Sequence, residues 1–418
     1  MAKLNLETVR GMRDFLPEEK IFRDEVIAKI KKVFERYGFA PLETPVLENL
    51  DVLKSKDSVG DEALKLVYDF TDKGGRPVAL RYDLTVPLAR VIAMNPQLPK
   101  PFKRYCIDKS WRYERPQAGR YREFYQCDVD IIGAESVMAD AEILACAKSA
   151  LEEAGLAKFS FRINSRKLMG ELLESAGVAR NQFVRTLRVL DKMDKNAPEE
   201  IAKELRTFLS EESTNELIEL VKVKGDWYKI SKTLKICDAT RKEIEEFIGY
   251  LKNYGVKNYT IDLSLARGLD YYTGIVFEID AGKEIGSIGG GGRYDDMIGK
   301  FSGQKVPATG LAIGLERVMT LLTSKRRKTN TKVYVVPIKE IERAIEIIED
   351  LRRNGINADL DLSGRSVGKN LEYASKMEIP FVILVGEQEI KQGKVKLRDM
   401  QTGEELLLAV EEVAEKLK

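Results

Sequence analysis

Between Glu18 and Tyr37 apolar side chains recur every three or four residues. Ile21, Phe22, Val26, Ile30, Val33 and Phe34 therefore share one face of a predicted helix. Pro17 suits its first turn, where a missing N–H costs nothing, and Gly38 suits the position just past its end. Ala40 to Leu47 is extended, and its prolines place it near a sheet edge. Strand-like runs follow at Leu66–Asp69, Val78–Arg81 and Arg104–Arg115. Glu123–Ile132 alternates with period two: Phe124, Gln126, Asp128 and Asp130 point one way, Tyr125, Cys127, Val129 and Ile131 the other. Ser136–Ala154 reads as a helix and Phe159–Asn164 as a strand.

The pattern changes at Ser165. From 166 to 256 the chain is helical in period and rich in Lys, Glu and Leu, so an inserted helical module is expected. Strand character returns at Tyr259–Leu265 and Ile275–Asp280. Four consecutive glycines, Gly289 to Gly292, then precede Arg293-Tyr294-Asp295, and a helix is expected to start near Gly310. Lys325-Arg326-Arg327-Lys328 is a basic linker. Beyond it strands at Val333–Pro337, Ala358–Leu362 and Phe381–Val385 alternate with helices at Glu340–Asn354 and Val367–Met377. These strands are apolar on both faces, as a sheet covered by helices requires. The expected division is 1–165 with 257–325, a helical insertion at 166–256, and a C-terminal α/β domain at 326–418.

Composition narrows the chemistry. The 418 residues are 44% hydrophobic and 33% charged, with 69 basic against 67 acidic side chains and a net charge of +2. Any nucleic-acid contact must come from local patches, since the chain as a whole is not polycationic. The Glu, Lys and Arg content is compatible with growth at high temperature. No apolar run reaches membrane-spanning length and no signal-peptide core is visible, so a cytoplasmic location and no membrane partner are expected. The four cysteines, Cys106, Cys127, Cys146 and Cys237, lack metal or disulfide spacing. Histidine is absent. That excludes Ser-His-Asp hydrolysis, His-liganded metals and imidazole acid–base steps, and leaves Arg, carboxylates, Tyr, Lys and backbone groups.

Trp111 to Asp130 concentrates what remains. Arg112, Arg115, Arg120 and Arg122 flank a turn at Pro116–Gly119, and the returning strand carries carboxylates. Such a ribbon can hold a polyphosphate at one end and a cationic small molecule at the other; a ligand-free surface hairpin is the other reading. The glycine run requires either a ligand lying against the strand or unusual backbone angles, or it marks a tight turn. Gly364–Lys369 is one residue short of a P-loop, with Asn370 where Ser or Thr should follow, and is better read as a helix N-terminus. An arginine within Leu315-Glu316-Arg317, on a mostly apolar helix, calls for an anion.

Together these segments resemble a known family. Arg112-Tyr113-Glu114-Arg115 with Arg120 and Phe124 resembles motif 2 of class II aminoacyl-tRNA synthetases, and Gly310–Arg317 resembles motif 3. Gly11–Pro17, Leu265–Tyr272 and Gly289–Asp295 resemble segments characteristic of the histidyl-tRNA synthetases, over essentially the whole chain. Leu80–Thr85 and Phe124–Asp128 are similar to the archaeal and eukaryotic branch. Asp83 and Asp130 stand where bacterial relatives have Glu, and Tyr125 where they have His.

The resemblance implies an α+β fold: a class II catalytic core built on an antiparallel sheet, a helical insertion and a C-terminal α/β anticodon-binding domain. It implies an ATP-dependent ligase that activates L-histidine and charges tRNA(His), with Mg2+ on the phosphates and a homodimeric assembly. Arg112 and Arg267 would flank the α-phosphate as the catalytic cations. Arg120 and Arg317 would hold the outer phosphates, with Phe124 stacked on adenine and Glu114 beside it. Asp83, Thr85 and Gln126 would bind the α-ammonium group, and Asp130, Tyr271 and Tyr272 the imidazole. Arg112 and Arg267 would also reach the substrate carboxylate. Gln117 would meet the acceptor end of the tRNA; no metal ligands are assigned. The nucleophile is a carboxylate already ionised at neutral pH, so a chain without histidine can still catalyse the reaction. The rival is a regulatory, histidine-binding relative that does not charge tRNA. Such proteins usually lack the last domain and several motif arginines, whereas Arg112, Arg267, Arg317 and that domain are all present here.

Overall fold

The computed structural model describes residues 4–54, 65–117, 119–193, 196–266, 271–282, 284–324 and 326–417. The chain divides into two compact units, Met1–Asp14 with Val26–Thr323, and Phe15–Glu25 with Ser324–Lys418.

The first unit is built on nine strands. Their order across the sheet is Ala40–Pro41, Phe102–Trp111, Glu123–Ile132, Ala308–Gly314, Ser287–Arg293, Ile275–Asp280, Ser160–Ser165, Tyr259–Asp262 and Lys224–Gly225. Neighbours run antiparallel except at Ala40–Pro41 and between Ser160–Ser165 and Tyr259–Asp262. The predicted arginine hairpin forms the heart of it. Its arms pair without interruption from Phe102 opposite Ile132 to Trp111 opposite Glu123. A tight turn follows further out, where Gln117 and Arg120 exchange backbone hydrogen bonds and Gly119 takes a positive φ.

Among the described residues of 166–256 the regular elements are helices apart from the two-residue strand Lys224–Gly225. Ser165 caps the first of these helices by accepting from the Leu168 N–H. A small sheet of Leu47–Asn49, Pro77–Leu80 and Asp69–Thr71 lies outside the large one. The helix Thr85–Met94 buries Val86, Leu88, Ala89 and Ile92 in a cluster with Tyr271, Tyr272 and Tyr294.

One expectation is overturned. The residues from Gly310 do not begin a helix; Ala308–Gly314 is a strand, and the helix starts at Leu315. The reason is the glycine run beside it. Gly289 to Arg293 pairs with Thr309 to Ile313, and backbones lie so close that a Cβ on Gly291 would stand 1.9 Å from the Gly310 carbonyl oxygen and 2.7 Å from Leu311 Cα. The glycines are therefore sheet residues, chosen for close approach rather than for a turn.

The second unit holds five strands in the order Ala358–Leu360, Val333–Ile338, Phe381–Gly386, Lys394–Asp399, Glu405–Ala409. The first three are parallel, as their two-sided apolar runs require; the last two are antiparallel, and Lys394–Asp399 alternates polar and apolar residues as a strand with one buried face does. Buried clusters cover both faces. Asn370 donates to the buried Asp361, so the near-P-loop is a braced helix start.

Gly291→Ala forces a methyl group into backbone atoms and is expected to cost about 1–3 kcal/mol or more. A lowered first transition in urea unfolding, with Gly249→Ala as an unhindered control, checks this; equal midpoints for the two variants would refute the close-approach reading.

Candidate active site

The hairpin register decides which side chains meet. Along one face, Arg104 lies opposite Asp130, Cys106 opposite Asp128, and Asp108 opposite Gln126. Across the other edge Asp130 faces Gly310, Asp128 faces Ala312 and Gln126 faces Gly314. Small residues on the neighbouring strand leave room above the carboxylates. A cavity of about 510 Å³ opens there, lined on this strand by Phe124, Gln126, Asp128 and Asp130.

One end of the cavity is acidic and aromatic. Arg104, fully buried, lies 2.8 Å from Asp130 and donates at 2.9 Å to the Leu84 carbonyl. The Tyr294 hydroxyl donates to Asp130. Burial raises the Asp130 carboxyl above its ordinary range, against the pull of Arg104 and the Tyr294 O–H. Burial also works against the Arg104 charge, but Asp130 and then Asp128 outweigh it and hold the guanidinium above its usual value. Asp83 accepts from the Val86 N–H at 3.1 Å, where the helix Thr85–Met94 begins. Its carboxyl is likewise raised by burial, partly offset by that N–H and by Arg112. Thr85 lines the same wall. The amide oxygen of Gln126 is buried without a hydrogen-bond partner. Tyr271 and Tyr272 stack obliquely at 4.7 Å between centroids, and Tyr294 meets Tyr271 edge-on at 6.0 Å.

The other end is cationic. Arg112 donates from Nε to the Tyr82 carbonyl at 2.9 Å and lies 5.2 Å over the Phe124 ring, with neither Nη group hydrogen-bonded among the described residues. Arg120 lies 3.6 Å from Glu114. Arg317, on the helix that opens at Leu315, donates to the Ser287 carbonyl and sits against Gly119 of the hairpin turn. Burial, with Arg120 close by, pulls the Arg317 guanidinium below its usual value. Two neighbouring cations of this kind are stabilised by a shared polyanion. Glu316 lines the cavity and is also tied into the fold. It is buried, accepting from the Tyr125 N–H at 3.0 Å and pairing with Arg13 at 3.4 Å, and so fixes the helix to the returning strand.

Of the residues expected from sequence, Asp83, Thr85, Arg112, Glu114, Arg120, Phe124, Gln126, Asp130, Tyr271, Tyr272 and Arg317 all line this one cavity. Gln117 is exposed on the hairpin turn outside it. Arg267 lies outside the described residues. Arg122 does not face the cavity; it stacks 3.9 Å over Tyr113 and donates to the Glu114 carbonyl, bracing the hairpin. Sequence reading missed Arg104, Tyr294 and Asp128 as parts of the site. Arg104 could have been found by aligning the hairpin arms, which sets it opposite Asp130. Asp191, from the helical insertion, also reaches the lining and had no sequence signal.

Among the described residues no group of three or more Cys, Asp or Glu side chains is placed to hold a metal ion. No helix among them is long and apolar enough to cross a membrane.

Comparisons with known proteins point to one family. Residues 11–318 match the family described as histidyl-tRNA synthetase, and residues 332–418 the anticodon binding domain. The histidine–tRNA ligase of Pyrococcus horikoshii is 42% identical over 99% of both chains, and that of Thermococcus kodakarensis 40% identical over 99% of this chain and 98% of its own. The crystal structure of histidyl-tRNA synthetase from a Nostoc species superposes with a TM-score of 0.86 at 32% identity, covering 99% of each chain.

Arg104→Met strands the buried Asp130 and is expected to cost about 3–5 kcal/mol, whereas adding Asp130→Leu to it restores most of the loss. Urea midpoints of the single and double variants test this; a single variant within 1 kcal/mol of wild type would show that the pair does not hold the sheet.

Proposed function

The chain belongs to the histidyl-tRNA synthetase family, and on that premise we propose how its residues divide the charging of tRNA with histidine. The reaction itself is that of an ATP-dependent histidine–tRNA ligase. The carboxylate of histidine attacks the α-phosphorus of ATP, pyrophosphate leaves, and a ribose hydroxyl at the end of the tRNA then takes the acyl group. The observation that carries the division of labour is the polarity of the single cavity: cations at the hairpin's outer end, acceptors at its inner end.

Arg112, between the ends, holds the α-phosphate and the attacking carboxylate in line, its Nη groups supplying two donors. Arg267 is its counterpart on the other side of the α-phosphate, stabilising charge as it grows there. Arg120 and Arg317 take the β- and γ-phosphates. Phe124 stacks on adenine, with Glu114 alongside. Asp83, Thr85 and Gln126 receive the α-ammonium group; the unpartnered Gln126 oxygen and the buried Asp83 carboxylate are acceptors matched to three N–H donors. Tyr271, Tyr272 and Asp130 enclose the imidazole. Holding the two substrates together can supply about 7–11 kcal/mol of barrier lowering.

Mg2+ would be held on the phosphates of ATP, where it would offset their charge. It is a hard cation that would take one or two carboxylates beside the phosphates; of the cavity carboxylates outside the histidine end, Glu114, Asp191, Glu278 and Glu316, the candidates we favour are Glu114 and Glu278. Gln117, exposed on the turn, meets the acceptor end of tRNA(His), and the helical insertion, which sends Asp191 into the cavity wall, clamps the acceptor stem. The C-terminal domain reads the anticodon. Val46, Leu47, Phe70 and Met94 are exposed apolar side chains of the first unit and suit a homodimer contact. The protein works in the cytoplasm.

The purified protein is expected to exchange pyrophosphate into ATP with histidine and with no other amino acid. Histidine binding without exchange would favour a regulatory role. Arg267→Ala is expected to lower the exchange rate at least about 100-fold, in the range of a lost charge-stabilising donor, while the KM for histidine stays within a few-fold. Near-normal turnover in that variant would remove Arg267 from the mechanism.

A further inference from the structure

Two carboxylates lie two residues apart on the floor of the histidine end, and the sheet treats them differently. Asp130 is occupied: Arg104 lies opposite it, the Tyr294 hydroxyl donates to it, and Gly310 lies so close that a Cβ there would stand 2.0 Å from Asp130 Oδ1. Asp128 is only 2% exposed and has no such company. Its cross-strand neighbours are Cys106 on one side and Ala312 on the other, and neither supplies it with a hydrogen bond. Its Oδ1 is buried without a partner, and no ion pair involves the residue among the described residues. A buried carboxylate of this kind costs stability unless a donor reaches it. Burial pushes the Asp128 carboxyl well above the ordinary range, with Arg104 and, more weakly, Arg112 opposing and Asp130 and Asp83 reinforcing the shift. The side chain also lines the cavity, between Gln126 and Asp130 on one strand face.

We propose that Asp128 is a specificity-determining residue of the histidine pocket, its carboxylate accepting the hydrogen bond from a ring N–H of the bound imidazole. Asp130 then acts beneath it as a positioning residue, holding Arg104 and Tyr294 so that the floor keeps its shape. The assignment rests on the reading of this cavity as the histidine site. It explains why the aspartate pair alternates on one face and why only one of the two has an ion-pair partner among the described residues. A competitor with an apolar side chain of similar size leaves Asp128 buried and unpaired, which is the strongest form of rejection a pocket can offer.

The test uses Asp128→Ala and Asp128→Asn in the full-length protein, with pyrophosphate exchange as readout. The Ala variant is expected to raise the KM for histidine roughly 10- to 100-fold, the range of a lost hydrogen bond to a charged group, with the KM for ATP within twofold of wild type. Asn, which keeps an acceptor oxygen, is expected to lose less. Both variants should melt no lower than wild type. A carboxyl with a raised folded-state pKa loses stability as pH rises through that value, and the neutral side chains remove this loss. Of the two ring-N-methylated histidines, one should compete better with the Ala variant than with wild type, since it no longer meets a buried acceptor. An unchanged histidine KM in Asp128→Ala, or an equal rise in both substrates' KM, overturns the assignment. If Asp83→Asn and Gln126→Ala also leave the histidine KM unchanged, the pocket reading beneath it falls as well.

Discussion

The ion pair of Arg104 with Asp130 is the constraint around which the catalytic unit is arranged. Both groups are withdrawn from water, so neither is tolerable without the other. Arg104 also donates to the carbonyl of Leu84, which stands next to Asp83 and just ahead of the helix Thr85–Met94. Asp130 accepts from Tyr294, which follows the glycine strand. One guanidinium and one carboxylate thus tie together the hairpin, the start of a helix and the last part of the sheet. Each of these pieces supplies a wall of the cavity. The acceptors for the amino acid are held rigidly because the pair that positions them cannot be loosened cheaply.

Space is the second requirement, and glycine supplies it. A sheet with ordinary side chains on Gly289 to Gly292 and Gly310 would fill the volume above the carboxylates, or force the strands apart. Gly291 and Gly310 show this directly, since a Cβ at either would collide with backbone or with Asp130 itself. The close approach also explains why Ala308–Gly314 is extended. Its neighbours on both sides demand ladder hydrogen bonds, and that demand overrides the local pattern that suggested a helix.

Much of this was legible in the chain. The hairpin, the alternation of Phe124, Gln126, Asp128 and Asp130, and the two-sided apolar strands of the C-terminal unit follow from period and turn chemistry. The cavity residues were legible mainly through the resemblance of motifs, because spacing alone left an inert arginine hairpin open. What could not be read is register and partnership. That Asp130 is neutralised and Asp128 is not depends on which residue lies directly across, Arg104 in one case and Cys106 in the other. A two-residue slip would set Asp128 across from Arg104 instead, with the same side chains still facing the cavity, and nothing local to Glu123–Ile132 specifies it. The role of Glu316 was hidden for the same reason, as its partners Arg13 and Tyr125 lie far off in sequence.

The polarity of the cavity depends on distance along one strand. From Phe124 to Asp130 a strand advances about 20 Å, at roughly 3.3 Å per residue. Had the arginines of the outgoing arm and the aspartates of the returning arm lain at the same level, they would have paired with one another, as Arg104 and Asp130 do, and the site would have been satisfied without any substrate. The register separates them: Arg112 lies opposite Arg122, six residues before Asp128 on the returning arm, and no described ion pair joins Arg112 or Arg120 to Asp128 or Asp130. The cations are left to an anion and the acceptors to a donor, and the ligand that answers both must carry phosphate charge at one end and N–H groups at the other. A bound pair of ATP and histidine has that shape. A chain with no histidine of its own can therefore recognise one: the pocket needs acceptors and aromatic walls, and the reacting carboxylate needs no base.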